Sequence, residues 1–113
     1  MIDIFHITHS KDWKNALEEG AYRSDSLASQ GFIHCSTRTQ VVAVANRYYR
    51  GQQGLVLLEI ASARVQPEIR WENLEGGTEL FPHIYGPLNL EAVEKVIEFE
   101  PGEEGAFHFP AES

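Results

Sequence analysis

Three short stretches constrain this chain more than any other feature. Ile4-Phe5-His6-Ile7-Thr8, Gly31-Phe32-Ile33-His34-Cys35-Ser36-Thr37 and Leu80-Phe81-Pro82-His83-Ile84-Tyr85-Gly86-Pro87 each set a histidine inside a run rich in Phe and Ile. Runs of that length and composition are read as strands. An imidazole inside a strand needs a hydrogen-bond partner or a task, because an unpaired polar group in the interior costs about 1–3 kcal/mol. A fold that accepts this chain must satisfy three such histidines, and the places where it does so are the first candidates for a site.

With 113 residues, 42% hydrophobic and 23% charged, the chain suits one domain with one core and no second unit. The core is expected over about residues 2–100, with an acidic tail from about 101 to 113 lying on the surface. Cys35, the one cysteine, has no internal partner for a disulfide. The N-terminus carries neither a basic start nor an apolar run of signal-peptide length, and no stretch approaches the roughly 18 apolar residues of a membrane span. A cytoplasmic protein with no membrane partner is expected. The net charge of −8, from 17 acidic against 9 basic residues, repels a polyanion and excludes bulk nucleic acid as a partner. A small nucleotide needs only two or three local cations and backbone N–H groups, and Arg23, Arg38, Arg47 and Arg70 are spread widely enough to supply them.

Ile2 to Thr8 alternates Ile2, Ile4, His6 and Thr8 with Asp3, Phe5 and Ile7, a strand with both faces at least partly covered. Ser10 reads as an N-cap, and Trp13, Ala16 and Leu17 mark a short helix over Lys11 to Glu19 that stops at Gly20. Ala21 to Gln30 reads as a loop with a short helical turn. Phe32 to Cys35 is a second strand. Val41, Val44, Ala45 and Tyr48 recur at helical spacing between Gln40 and Arg50. Leu55 to Ile60, apolar except for Glu59, is a central strand. Glu68 to Glu72 is extended after Pro67, Leu74 to Leu80 is a loop with Gly76-Gly77, and Val93 to Phe99 is an antiparallel strand. Pro82 and Pro87 exclude an ordinary central strand for the segment around His83. Two or three helices and about six short strands without βαβ rhythm make the chain α+β, with a bent or split sheet.

Glycine-rich phosphate loops, paired-cysteine zinc spacing and a nucleophile elbow are absent. Neighbours in a strand point to opposite faces, so His34 cannot activate Cys35, which reads as a small buried hydrophobe. His6 with Thr8 and His34 with Ser36 each place an imidazole and a hydroxyl on one face, the groups needed to bind diols and phosphates. The rigid segment around His83 displays an imidazole and the Tyr85 phenol, and Glu79 is the nearest acid before it. The spacing of the histidines carries no metal signature, so no metal is expected.

With Phe32–Ser36 and Phe81–Leu88 in place, the chain resembles the domain of unknown function 952 family, small proteins marked by Phe-Ile-His-Cys-Ser and Phe-Pro-His-Ile-Tyr-Gly-Pro-Leu. The resemblance runs from about Ile4 to Phe99. It implies an ADP-ribosyltransferase-like fold, a split antiparallel or mixed sheet with a central cleft. Phe5-His6-Ile7-Thr8 is similar to the first-strand motif of those transferases that holds the ribose of NAD, and Gly31 to Thr37, followed by the helix with Tyr48, is similar to their second motif. Their glutamate on the closing strand is missing here, where the chain reads Pro82-His83-Ile84-Tyr85. The function implied is binding of NAD or a related nucleotide through His6, Thr8, His34, Ser36, Tyr48 and Tyr85. An alternative is an enzyme acting on a phosphorylated or nucleotide-derived small molecule, a transferase-like activity with His83 or Glu79 as acid or base. A third is a non-catalytic protein-interaction module.

Overall fold

A computed structural model describes residues 2–110. Three antiparallel sheets carry the chain. The first joins β1 (Asp3–His9), β4 (Leu55–Ala61) and β8 (Val93–Phe99) in the order β1-β4-β8. The second joins β3 (Ile33–His34), β6 (Phe81–Tyr85) and β5 (Glu68–Glu72) in the order β3-β6-β5. A two-stranded pair of β2 (Ala21–Tyr22) and β7 (Leu88–Asn89) completes them. Every pairing among the described residues is antiparallel, so the mixed sheet allowed by the sequence does not form.

Helices α1 (Ser10–Glu19), α2 (Asp25–Gln30) and α3 (Val41–Tyr48) fill the connections. The first two end where Gly20 and Gly31 take left-handed backbone, at φ 88° and 90°, a conformation that costs glycine nothing. Ser10 is the first helical residue of α1 rather than its cap, a position held by His9.

The first sheet is covered on both faces, as the alternation in β1 requires. Ile4 joins Val56, Leu58 and Ile60 in one core with Ala16 of α1, Tyr22, and Ile33 and Ile84 of the second sheet. Phe5 and Ile7 join Leu55, Leu57 and Phe99 in another core beneath Val41 and Ala45 of α3. Burial of each such side chain contributes roughly 1.5–3 kcal/mol. Glu59, the one break in the apolar run of β4, pairs in register with Lys95. A hydrogen bond with Asp3, followed by burial, raises its carboxyl above the usual range.

Two expectations from the sequence are corrected. Strand β6 is central, despite Pro82, because the proline falls where its ladder to β3 stops. The carbonyl of Pro82 accepts from the N–H of Cys35 at 3.0 Å, but proline has no N–H to return. The strand of Cys35 therefore leaves β6 after a single bond, and Ser36 pairs with Phe5 of β1 in an isolated bridge. The second correction concerns the tail, which does not all lie on the surface. Phe107 is buried, stacked on Phe99 at 4.8 Å, and Phe109 meets the edge of Phe5 at 5.6 Å. Once Phe99 ends β8, its open face needs an apolar cover, and the aromatic residues beyond the acidic stretch provide it. Residues 111–113 of that tail lie outside the described residues.

Asn46 of α3 holds the tail by both ends of its amide: Nδ2 donates to the Phe107 carbonyl at 3.1 Å, and Oδ1 accepts from the Phe107 N–H at 2.7 Å. Replacing Asn46 with Ala is expected to lower stability by about 1–3 kcal/mol in urea denaturation and to remove hydrogen-exchange protection at the Phe107 amide.

Candidate functional site

Register and alternation together decide which side chains share a face. His34 lies opposite His83 across β3 and β6, and Arg70 lies opposite His83 across β6 and β5. Residues two apart follow onto the same face, so Phe32, His34, Phe81, His83, Tyr85, Glu68, Arg70 and Glu72 form one polar and aromatic surface. The reverse face supplies Ile33, Cys35, Ile69 and Ile84 to the core. Burial pushes the Cys35 thiol far up, which leaves it protonated and inert.

A cavity of about 940 Å³ opens over this surface where β1 meets β3. Its walls are the second sheet, the exposed side of α3 and residues 73–79. Of the residues proposed from sequence, His6, His34, Ser36, Tyr48, Glu79 and His83 line it; Thr8 and Tyr85 do not. Among the four arginines offered for phosphate, Arg47 lines it. Arg70 pairs with Glu68 at 3.1 Å and lies over the Tyr85 ring, and Arg38 lies over the rings of Phe109 and Phe5.

His83 is the most constrained group in the cavity. Only 5% of it is exposed, and its ring stacks on Phe32 with centroids 4.3 Å apart and planes at 21°. Its Nδ1 donates to Glu72 Oε1 at 2.9 Å. Glu72 also accepts from the Tyr85 hydroxyl, and these two hydrogen bonds, Tyr85 first, hold its carboxyl below the usual range. In the neutral ring the lone pair then lies on Nε2, which has no hydrogen-bond partner among the described residues. No buried polar side-chain atom goes unpartnered among those residues, so Nε2 is open to the cavity.

The sequence pointed to Glu79 as the acid beside His83. Glu79 instead accepts from Gln40 Nε2 at 3.2 Å, and the partner of His83 is Glu72. The alternation Glu68-Arg70-Glu72 was available as a signal for a polar strand face, but nothing in one sequence says which strand lies beside β6.

His34 is exposed at the edge of the same surface, 5.2 Å from the His83 ring and nearly perpendicular to it. Its Nε2 donates to Gln30 Oε1 at 2.6 Å, since that oxygen can only accept. Desolvation and then the neighbouring His83 lower its pKa, so the ring is neutral near pH 7.

His6 borders the cavity, but both its ring nitrogens bond within the fold. Its Nδ1 donates to the carbonyl of His34, and its Nε2 is 2.8 Å from the Tyr22 hydroxyl, which lies 2.9 Å from Thr8 Oγ1. Burial lowers its pKa to about 4, so the ring carries one proton, and the carbonyl requires that proton on Nδ1. Nε2 then accepts from Tyr22, and Thr8 Oγ1 lies within hydrogen-bond distance of the same phenol oxygen. Both ring nitrogens of His6 and the hydroxyl of Thr8 are thus engaged within the fold. The three histidines do not bring their ring nitrogens together as a metal site among the described residues.

The buried neutral His6 makes a pH prediction. Between its ordinary pKa of 6.5 and about 4, the unfolded chain takes up a proton that the folded chain does not. Stability is therefore highest above pH 6.5, falls as pH drops through that window and levels off below about 4, a loss of roughly 3 kcal/mol from this group. Denaturant titrations across the window are expected to show that slope in the wild type and a flatter profile in His6→Gln.

Two comparisons with known proteins place the chain. It is similar to protein CC0527 from Caulobacter crescentus: the X-ray structure superposes with a TM-score of 0.85 at 30% identity, covering 94% of this chain and 93% of that one. The solution NMR structure of CC0527 gives 0.81 at 31% identity, over 94% and 91%. No curated protein matches. The profile of the family described as protein of unknown function DUF952 matches residues 7–96, and the chain belongs to that family.

Proposed function

We propose that the cavity is a small-molecule site in which His83, held by Glu72, moves a proton to or from a ring-bearing, nucleoside-like ligand. One observation carries this reading: a nearly buried imidazole, fixed at Nδ1 by a carboxylate, presents an unpartnered Nε2 to a cavity of ligand size. A hydroxyl of the ligand would give its proton to Nε2, and Glu72 would offset the imidazolium charge that results. The same proton is then available to a departing atom. Tyr85 serves this step indirectly, by fixing Glu72 from the other side. His34, exposed in the cavity with its ring against the edge of Phe32, offers a flat surface on which a planar ring stacks.

NAD and its relatives enter as candidate ligands through the ADP-ribosyltransferase resemblance. What supports them is a cleft formed where two antiparallel sheets meet, lined by His34, Ser36 and Tyr48. The carboxylate that the resemblance leaves missing from the strand of His83 is supplied across the ladder by Glu72. His6 and Thr8, engaged with Tyr22, act in this reading by fixing the wall rather than by touching the ligand.

A ligand-detected NMR and thermal-shift screen against NAD, ADP-ribose, nicotinamide and nucleosides tests the reading. A hit is expected to perturb the ring resonances of His34, His83 and Phe32, and to weaken by about tenfold or more in His83→Ala. Any turnover found is expected to fall by about 10²–10⁴ in His83→Ala and substantially in Glu72→Gln. A hit that leaves those resonances unmoved, or turnover unchanged in both variants, contradicts it.

A further inference from the structure

Resting on the small-molecule site proposed above, we infer that the cavity favours nucleosides and nicotinamide over NAD and ADP-ribose, taking its ligand without phosphate as a planar neutral or cationic ring compound, and that Glu75 and Glu79 set this selectivity. The rim that carries them is organised rather than loose. Asn73 Oδ1 accepts from the N–H groups of Glu75 at 2.9 Å and Gly77 at 3.0 Å, while its Nδ2 donates to the Glu79 carbonyl at 2.7 Å. Gly76 turns the segment with left-handed backbone, φ 86°. Gln40, at the start of α3, fastens the rim to the helix by donating to Glu79 Oε2 at 3.2 Å and to the Leu80 carbonyl at 2.8 Å.

The charges so fixed are unbalanced. Glu72, Glu75 and Glu79 line the cavity against Arg47, the one Lys or Arg side chain among its described lining residues. Arg47 stands seven positions along α3 from Gln40, about 10 Å by helical rise, beside the Tyr48 ring. The charge of Glu75 is felt at His34, whose pKa it acts to raise. A phosphate on a ring held in this cavity meets three lining carboxylates and a single guanidinium. The whole chain adds to the repulsion, with a net charge of −8. A planar ring, and above all a cationic one, meets no such opposition, and the unpartnered Nε2 of His83 gives it an acceptor.

Titration of the full chain with adenosine, AMP, ADP and N-methylpyridinium, at low and at physiological salt, tests the inference by following the His34 and His83 ring resonances. Affinity is expected to fall about five- to tenfold with each phosphate at low salt, less at physiological salt, and the differences are expected to close in the double variant Glu75→Gln, Glu79→Gln. Phosphates that tighten binding to the wild type, or differences unchanged in the double variant, overturn the inference and leave the site itself standing. Failure of all four compounds to move those resonances overturns both.

Discussion

Two backbone hydrogen bonds between Phe5 and Ser36, at 2.7 and 2.8 Å, join the sheets of this protein and create its cavity. They form because β3 cannot continue along β6: Pro82 accepts from Cys35 and has nothing to donate in return. The chain turns away, finds the free edge of β1 and bonds there. Two residues earlier, the carbonyl of His34 accepts from the Nδ1–H of His6, so the histidine of the first motif fastens the segment that displays the histidine of the second. The Tyr22 and Thr8 hydroxyls complete this fastening inside the core, where an unsatisfied imidazole would be costly.

The chemistry follows from the period-two alternation on either side of that joint. Ile33, Cys35 and Ile84 turn inward, which leaves Phe32, His34 and His83 on the outer face, beside the Glu72 of the next strand. Packing on Phe32 limits the motion of the His83 ring, and the carboxylate fixes its orientation. An imidazole restrained in this way can transfer a proton without first reorganising, the arrangement that general acid–base catalysis requires. Tyr85 and Arg70 extend the same surface at one remove from the cavity, Tyr85 by its bond to Glu72 and Arg70 by packing over the Tyr85 ring.

Much of this was legible in the sequence because it depends on local pattern. The alternation of β1 foretold a strand buried on both faces, the apolar run from Leu55 to Ile60 foretold the central β4, and Gly20 and Gly31 foretold the ends of two helices. The opposed faces of His34 and Cys35 were equally plain. Pairing across long distances was not. The acid beside His83 depends on which strand lies against β6, and Glu72 is recognisable only once Arg70 is known to stand opposite His83. The place of Pro82 in a central strand depends on where β3 leaves the ladder. The burial of Phe107 depends on the open face of Phe99, which composition reads simply as the neighbourhood of an acidic tail. His6 was legible as a histidine needing partners, but its partner Tyr22 lies in a two-residue strand that no periodicity marks.

The proposed site depends on the Glu72–His83 pair, and the tautomer of His83 tests it directly. Long-range ¹H–¹⁵N NMR of the imidazole rings, at a pH where His83 is neutral, reports which nitrogen carries the proton. The structure predicts protonated Nδ1 and unprotonated Nε2 in the wild type, with that preference lost in Glu72→Gln. A ring protonated at Nε2, or a tautomer indifferent to the variant, would contradict a base held by Glu72 and aimed into the cavity.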